Sequence, residues 1–214
     1  MKKYYFILVF LLVAFIVSVL MIARRPPDIK NINSSGKNIV CFGNSLTYGY
    51  GADKGFDYPS LLRSMVNFPV INAGRNGDTT YDALKRLESD VIAKEPFLVI
   101  VEFGGNDFLK HIPKNETIAN IEKMVKRIQD AGAMVVLVET RAGLLKDEYL
   151  KDYQRIAKQY RVLFIPNILK GILTNPRLKY DYIHPNSQGY EIMAKRIFKK
   201  INFILKNRIP QPQF

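Results

Sequence analysis

From residue 38 onward, short apolar runs alternate with longer stretches of helical character. Runs rich in Val and Ile occupy 38–42, 70–73, 97–103, 134–139 and 162–165, bounded by Gly, Asn or Pro. Their length and β-branched content predict five strands. Between them, 58–66, 80–94, 117–131 and 146–159 predict helices. A last helix is predicted over 187–206, where Tyr190, Met193, Ala194, Ile197, Phe198, Ile201 and Leu205 form one apolar stripe and Lys195, Lys199 and Lys206 lie off it. Strands separated by helices predict an α/β domain whose parallel sheet is covered on both faces.

Residues 4–23 break this pattern. They form an apolar run of 20 residues whose only non-aromatic polar member is Ser18. A helix of that length spans about 30 Å, the thickness of a bilayer's hydrocarbon core. Lys2 and Lys3 precede it, and Arg24, Arg25, Pro26 and Pro27 stop it. The run is longer than a cleavable leader's, and Met21 and Ile16 spoil the small-x-small sites ending at Ala23 and Ser18. The reading favoured is an uncleaved signal anchor over 1–25, followed by a linker over 26–37, a domain over 38–207 and a tail over 208–214. The flanking charges do not choose a side of the membrane. The expected side is periplasmic or extracellular, because an apolar segment behind a short tail commonly acts as an export signal. The short linker, at most about 40 Å long, is expected to keep the active site working near the lipid surface.

Composition narrows the chemistry. The 214 residues are 48% hydrophobic and 24% charged, which fits a cored globular chain. The net charge of +13 is spread along the sequence rather than clustered with aromatics, so nucleic acid is not an expected partner. Cys41 is the single cysteine and His111 and His184 the only histidines, so no metal site of the usual nitrogen and sulfur ligands is expected.

In a parallel sheet, functional groups gather beyond the carboxyl ends of the strands. The first strand is followed by Gly43-Asn44-Ser45-Leu46-Thr47, the second by Gly74-Arg75-Asn76-Gly77-Asp78-Thr79 and the third by Gly104-Gly105-Asn106-Asp107. Asp181-Tyr182-Ile183-His184-Pro185 precedes the last helix. Acyl transfer needs a nucleophile, a base, a group that orients the base and donors for an oxyanion. Ser45, His184, Asp181, and Gly77 with Asn106 are residues of those types, all on one rim. Each also has a plainer reading: Ser45 as a helix cap, Asn106 and Gly77 as turn residues, and Asp181 with His184 as a loop pair. Asp107 reads as a brace for its loop, and His111 as a rim or surface residue. Cys41 reads as buried and inert. Tyr48, Tyr81, Tyr180 and Tyr182 flank the motifs, as pocket lining or as core.

The four stretches FGNSLTYGYG, NAGRNGDTT, GGNDF and DYIHPN resemble, in order, the four blocks of the SGNH (GDSL-type) hydrolases, over about residues 38–200. The resemblance implies a three-layer flavodoxin-like fold with a five-stranded parallel sheet and chemistry without metal or cofactor. It implies Ser45 as nucleophile, His184 as base and Asp181 as its partner. It also implies an oxyanion hole of the Ser45 and Gly77 N–H groups and the Asn106 amide. The expected activity is hydrolysis of a carboxylic ester or thioester through an acyl-enzyme, on small acyl ester, thioester or lysolipid substrates. Two alternatives stand beside it: an O-acetylesterase or acyltransferase on cell-envelope polysaccharide, and an inactive membrane-tethered binding module. One departure is Asn44, where the family's Gly-Asp-Ser-Leu has aspartate; it keeps an acceptor and loses the charge. Thr47 stands where a Gly-x-Ser-x-Gly elbow has its second glycine, which disfavours the ordinary α/β-hydrolase.

Overall fold

The computed structural model describes residues 10–15, 28–140, 149–206 and 208. Its five strands are β1 (Asn38–Gly43), β2 (Val70–Gly74), β3 (Pro96–Glu102), β4 (Met134–Val138) and β5 (Leu163–Ile165). All pair in parallel, in the order β2-β1-β3-β4-β5. The helices are α1 (Ser45–Tyr48), α2 (Tyr58–Met65), α3 (Thr80–Asp90), α4 (Gly105–Leu109), α5 (Lys114–Asp130), α6 (Leu150–Gln159) and α7 (Ser187–Lys206).

Strand alternation sorts the core into two halves. Ile39, Cys41, Leu98, Ile100 and Val136 face Tyr58 and Leu62 of α2 and Met193, Ile197 and Ile201 of α7. Val40, Phe42, Val99, Val101 and Leu137 face Ala83 and Leu87 of α3, Ile121 and Val125 of α5 and Ile156 of α6. All seven residues of β3 are buried, as a central parallel strand requires. Each large aliphatic side chain so buried stabilises the fold by roughly 1.5–3 kcal/mol. The expected three-layer α/β architecture is therefore present. The chain direction reverses its progress across the sheet between β1 and β3, which opens a crevice beyond their carboxyl ends.

Some boundaries differ from expectation. The helix expected over 80–94 ends at Asp90, and Ile92–Lys94 is a tight 3₁₀ turn closed by Glu95 in a left-handed conformation. The helix expected from 117 starts at Lys114, behind Pro113, whose ring cannot continue a helix backward. The start expected at 146 lies outside the described residues.

Residues 28–37 lie against the body, whereas a free linker was expected over 26–37. Ile29 is buried in the core, the Lys30 N–H donates to the Arg161 carbonyl at 3.0 Å, and Asn31 Nδ2 donates to the carbonyls of Gln129 and Ala133 at 2.8 and 3.0 Å. These anchors sit before β4 and β5, at the amino ends of the strands. Most of the expected membrane span over 4–23 lies outside the described residues. Residues 10–15 are helical, with Phe10, Leu11, Leu12 and Val13 exposed. Among the described residues, no helix is long and apolar enough to cross a membrane.

Candidate active site

β1 ends at Gly43, and Asn44 leaves the strand with φ −97° and ψ −142°. Its buried side chain accepts from the Leu46 N–H at 3.0 Å and caps α1, so Ser45 opens a single helical turn at the rim. The cap needs only an acceptor, which asparagine supplies as well as aspartate does. α1 rests directly on β2. A Cβ at Gly74 would lie 2.1 Å from the Tyr48 nitrogen, so only glycine admits this approach.

Ser45 Oγ lies 2.9 Å from His184 Nε2, and His184 Nδ1 lies 2.8 Å from Asp181 Oδ2. A carboxylate only accepts, so Nδ1 carries the proton and Nε2 is free to accept from the Ser45 hydroxyl. Asp181 Oδ1 accepts from the Ile183 and His184 N–H groups, each at 2.8 Å. Burial pushes the Asp181 carboxyl up, but the hydrogen bonds from His184 and these two N–H groups outweigh it and hold it below the ordinary carboxylate value. The Tyr50 ring lies against the His184 ring, with centroids 4.7 Å apart.

Asn106 stands in the first turn of α4, and with Ser45 and His184 it lines one cleft. Its Nδ2 donates to the Asp78 carbonyl at 2.9 Å. Gly77 is the neighbour of that residue and lies at the margin, not among the residues lining the cleft. Its φ of +77° is what calls for glycine, since a Cβ there would meet nothing within 4 Å. The Gly77 carbonyl accepts from Lys110 Nζ at 2.9 Å. The structure thus joins Ser45, His184 and Asp181, places Asn106 beside them and sets Gly77 next to Asn106's partner. His111 is exposed, in a left-handed turn after α4. Among the described residues, no three His, Cys, Asp or Glu side chains gather as metal ligands.

Two buried ionisable groups under the rim were not singled out in the sequence. Arg86 of α3 donates to carbonyls at the carboxyl ends of two strands, Gly43 of β1 at 3.0 Å and Ala73 of β2 at 2.8 Å, and pairs with Asp78 at 2.6 Å and Asp90 at 3.1 Å. One guanidinium thereby ties β1, the strand that leads to Ser45, to the loop that carries Gly77. Its signal was its place on the same helical face as Ala83 and Leu87. Glu102 closes β3 and accepts from Thr47 Oγ1 at 3.0 Å, with the Tyr58 hydroxyl 3.0 Å beyond. Burial pushes its carboxyl up to about 8, against hydrogen bonding from Thr47 and Asn44 that pulls it down. Its signal was a lone carboxylate closing an otherwise apolar run. Asp107 is the brace expected: fully buried, it accepts from the N–H and hydroxyl of Thr80 at the start of α3.

Fold and site together define the class: a serine hydrolase that acts on ester bonds. The sequence pattern of the GDSL-like lipase/acylhydrolase family matches residues 41–192, and the chain belongs to that family. It is similar to an arylesterase of Vibrio mimicus, 28% identical over 180 residues that cover 79% of this chain and 90% of the relative. It is also similar to thioesterase 1/protease 1/lysophospholipase L1 of Escherichia coli K12, 25% identical over 176 residues that cover 78% and 85% of the two chains. The crystal structure of the psychrotrophic esterase EstA from Pseudoalteromonas, inhibited by monoethylphosphonate, superposes with a TM-score of 0.71 at 25% identity, covering 80% of this chain and all of that one.

Proposed function

We propose that Ser45 is the nucleophile of an acyl-enzyme mechanism, with His184 as general base and acid and Asp181 as its orienting partner. The observation that carries this reading is the hydrogen-bonded chain from Ser45 Oγ through His184 to Asp181. Ser45 Oγ attacks the acyl carbon while His184 Nε2 takes its proton. The oxyanion is held by the Ser45 N–H, the Asn106 amide and the Gly77 N–H. Asn106 exchanges its bond to the Asp78 carbonyl for one that strengthens as charge develops. His184 then protonates the leaving oxygen or sulfur, and water releases the acid by the reverse sequence.

The cleft beside Ser45 measures about 60 Å³ and includes Leu46, Phe108, Leu109, Leu169 and Ile183 in its lining. A narrow, apolar site of that size favours short acyl chains. The test is hydrolysis of p-nitrophenyl esters of graded chain length, with fluorophosphonate labelling. Turnover should be best from acetyl to butyryl, and Ser45→Ala should abolish both turnover and labelling. His184→Ala should remove nearly all turnover, whereas His111→Ala should not. An adduct on another serine, or an essential His111, overturns the assignment.

The same reading keeps the N-terminal segment as a membrane anchor with the catalytic domain outside the cytoplasm. Its support is the apolar run over 4–23, which carries no charged residue, and the exposed apolar side chains of helical residues 10–13. Carbonate-resistant membrane association lost on deleting 1–25 tests the anchor, and a C-terminal alkaline phosphatase fusion tests the side.

A further inference from the structure

A parallel sheet sorts the ends of its helices. Helices that carry the chain back across it finish at the amino ends of the strands, so whatever closes them gathers on one face. Here the closing turns are basic: Arg63 in α2, Arg127 in α5, Lys158 in α6, Lys206 in α7, and Lys94 in the 3₁₀ turn before β3. A cation in a last turn complements the dipole of its own helix. The topology turns these local choices into one surface. Lys30 and Lys37 of the strap over 28–37 add to it, and Arg208 reaches it by donating to the Ser34 carbonyl.

The acids of this edge do not offset the excess. Asp28, Glu88, Glu95 and Asp130 are each paired already, with Arg161, Arg127, Lys37 and Lys126. Arg63, Lys94, Lys158 and Lys206 are exposed and have no carboxylate within ion-pair distance among the described residues. Ile32, 44% exposed in the strap, sets an apolar side chain among them. The carboxyl rim is balanced instead. Among the described residues, Asp53, Asp57, Asp78, Asp82 and Asp181 stand there with Lys54, Arg75, Lys110, Arg177 and Lys179. The rim exposes tyrosines, Tyr48, Tyr81, Tyr180 and Tyr182, but no surplus charge.

The basic edge is also where the chain enters. Asp28 pairs with Arg161 at 3.0 Å and Ile29 is buried, so the domain grips its own chain from residue 28 onward. Only residues 24–27 separate this grip from the apolar run over 4–23, a reach of at most about 14 Å. Arg24 and Arg25 are among them. A domain tethered so closely meets a membrane amino edge first.

We propose that this edge seats on anionic lipid headgroups and holds the Ser45 rim away from the membrane. The proposal rests on the reading of 4–23 as an anchor. The negative potential of an anionic leaflet attracts Lys and Arg and fades within a Debye length of about 8–10 Å. The edge lies inside that layer. The rim stands roughly 23 Å further out, the rise of the seven residues of β3 at about 3.3 Å each. A free linker would let the active site swing down to the lipid; the docked strap removes that slack. Ser45 then meets esters from the aqueous side, and a lipid of the same leaflet lies out of its reach.

The experiment places one fluorescent label on the full chain, at Asn67→Cys before β2 on the amino edge or at Lys54→Cys on the rim. Both positions are exposed, and the native Cys41 is buried. The chain is reconstituted in vesicles whose lipids carry a nitroxide quencher on the headgroup. In phosphatidylcholine with about 30% phosphatidylglycerol, the edge label should be quenched roughly threefold more than the rim label. High salt, or a Lys94→Gln/Lys158→Gln/Lys206→Gln variant, should bring that contrast down to its value in phosphatidylcholine alone. The variant should keep the parent's turnover of p-nitrophenyl acetate, which shows that it is folded. Equal quenching at the two positions, stronger quenching at the rim, or a contrast indifferent to lipid charge and salt overturns the proposal. If the chain leaves neutral vesicles yet shows the contrast on anionic ones, the seat stands and the anchor reading fails.

Discussion

The two sides of His184 are built on different principles. The side proposed for the acyl group is a tight recess whose leucines, isoleucine and phenylalanine leave about 60 Å³ free. The other side is an open trough of about 830 Å³, edged by tyrosines and hydrogen-bonding groups. A closed apolar recess discriminates by volume, and each methylene too many or too few is worth only about 1–3 kcal/mol. An open polar trough discriminates by the pattern of donors and acceptors and tolerates length. The two are joined by a ring contact, since His184 lines the recess and Tyr50, which borders the trough, packs against it with centroids 4.7 Å apart. An enzyme so divided should be strict about the acid it releases and permissive about the chain length of what bore it.

The largest way to test that division is to remove what both sides share. Asn106→Ala should lower kcat by roughly 10²–10³ on every ester, with little change in KM, because a donor that serves the oxyanion is blind to either half. Initial rates on two acyl lengths and two alcohols check this. A loss confined to KM, or to one alcohol, would mean Asn106 belongs to one side only. Next is Arg86→Lys. Lysine keeps the charge but cannot satisfy the Gly43 and Ala73 carbonyls and two carboxylates together. We expect kcat to fall about tenfold on both classes of ester while KM stays nearly constant, read by the same kinetics. A smaller effect is expected from Leu109→Ala, which opens the recess at a half-exposed residue and spares the core. The hexanoyl-to-acetyl ratio of kcat/KM should rise severalfold, within the roughly tenfold that one methylene commands, and the preference among alcohols should not move.

The smallest effect concerns the floor beneath both sides. Glu102 has an ordinary value of 4.5 and is held up to about 8 in the fold. Between those values the unfolded chain releases a proton that the folded chain keeps. The Glu102 contribution to stability therefore falls as pH rises from 4.5 to about 8 and is level above that. Melting temperatures of Glu102→Gln should decline less between pH 5 and pH 8 than those of the parent. Parallel curves would refute it.

The strands were legible because buried parallel strands leave a signal local in sequence, short Val/Ile runs between turn residues. Their observed ends fall within a few residues of expectation. The four rim loops were legible as motifs, and Ser45, His184 and Asp181 do meet. α1 and α4 were not legible, since four or five residues make too little helix to show a period. Arg86 escaped because its partners are backbone carbonyls and carboxylates from other elements, and a residue-type pattern does not display carbonyls. The trough escaped for the same reason: Tyr50 and Tyr180 are 130 residues apart in sequence and meet only through the fold. The docking of 28–37 turns on one buried residue, Ile29, with Ile32 exposed and the rest polar or glycine, too little pattern to distinguish a strap from a tether.

That strap also sets how the domain bears mechanical load. A pull at residue 28 passes through the Arg161–Asp28 pair and the bonds of Lys30 and Asn31 into the segments before β4 and β5. Arg208, beyond the last helix, donates to the Ser34 carbonyl and closes the same end. Tension between the two ends of the domain would thus run along the amino edge of the sheet and peel the strap before it strained a strand. Ser45, His184 and Asp181 sit at the opposite edge, off the line of force.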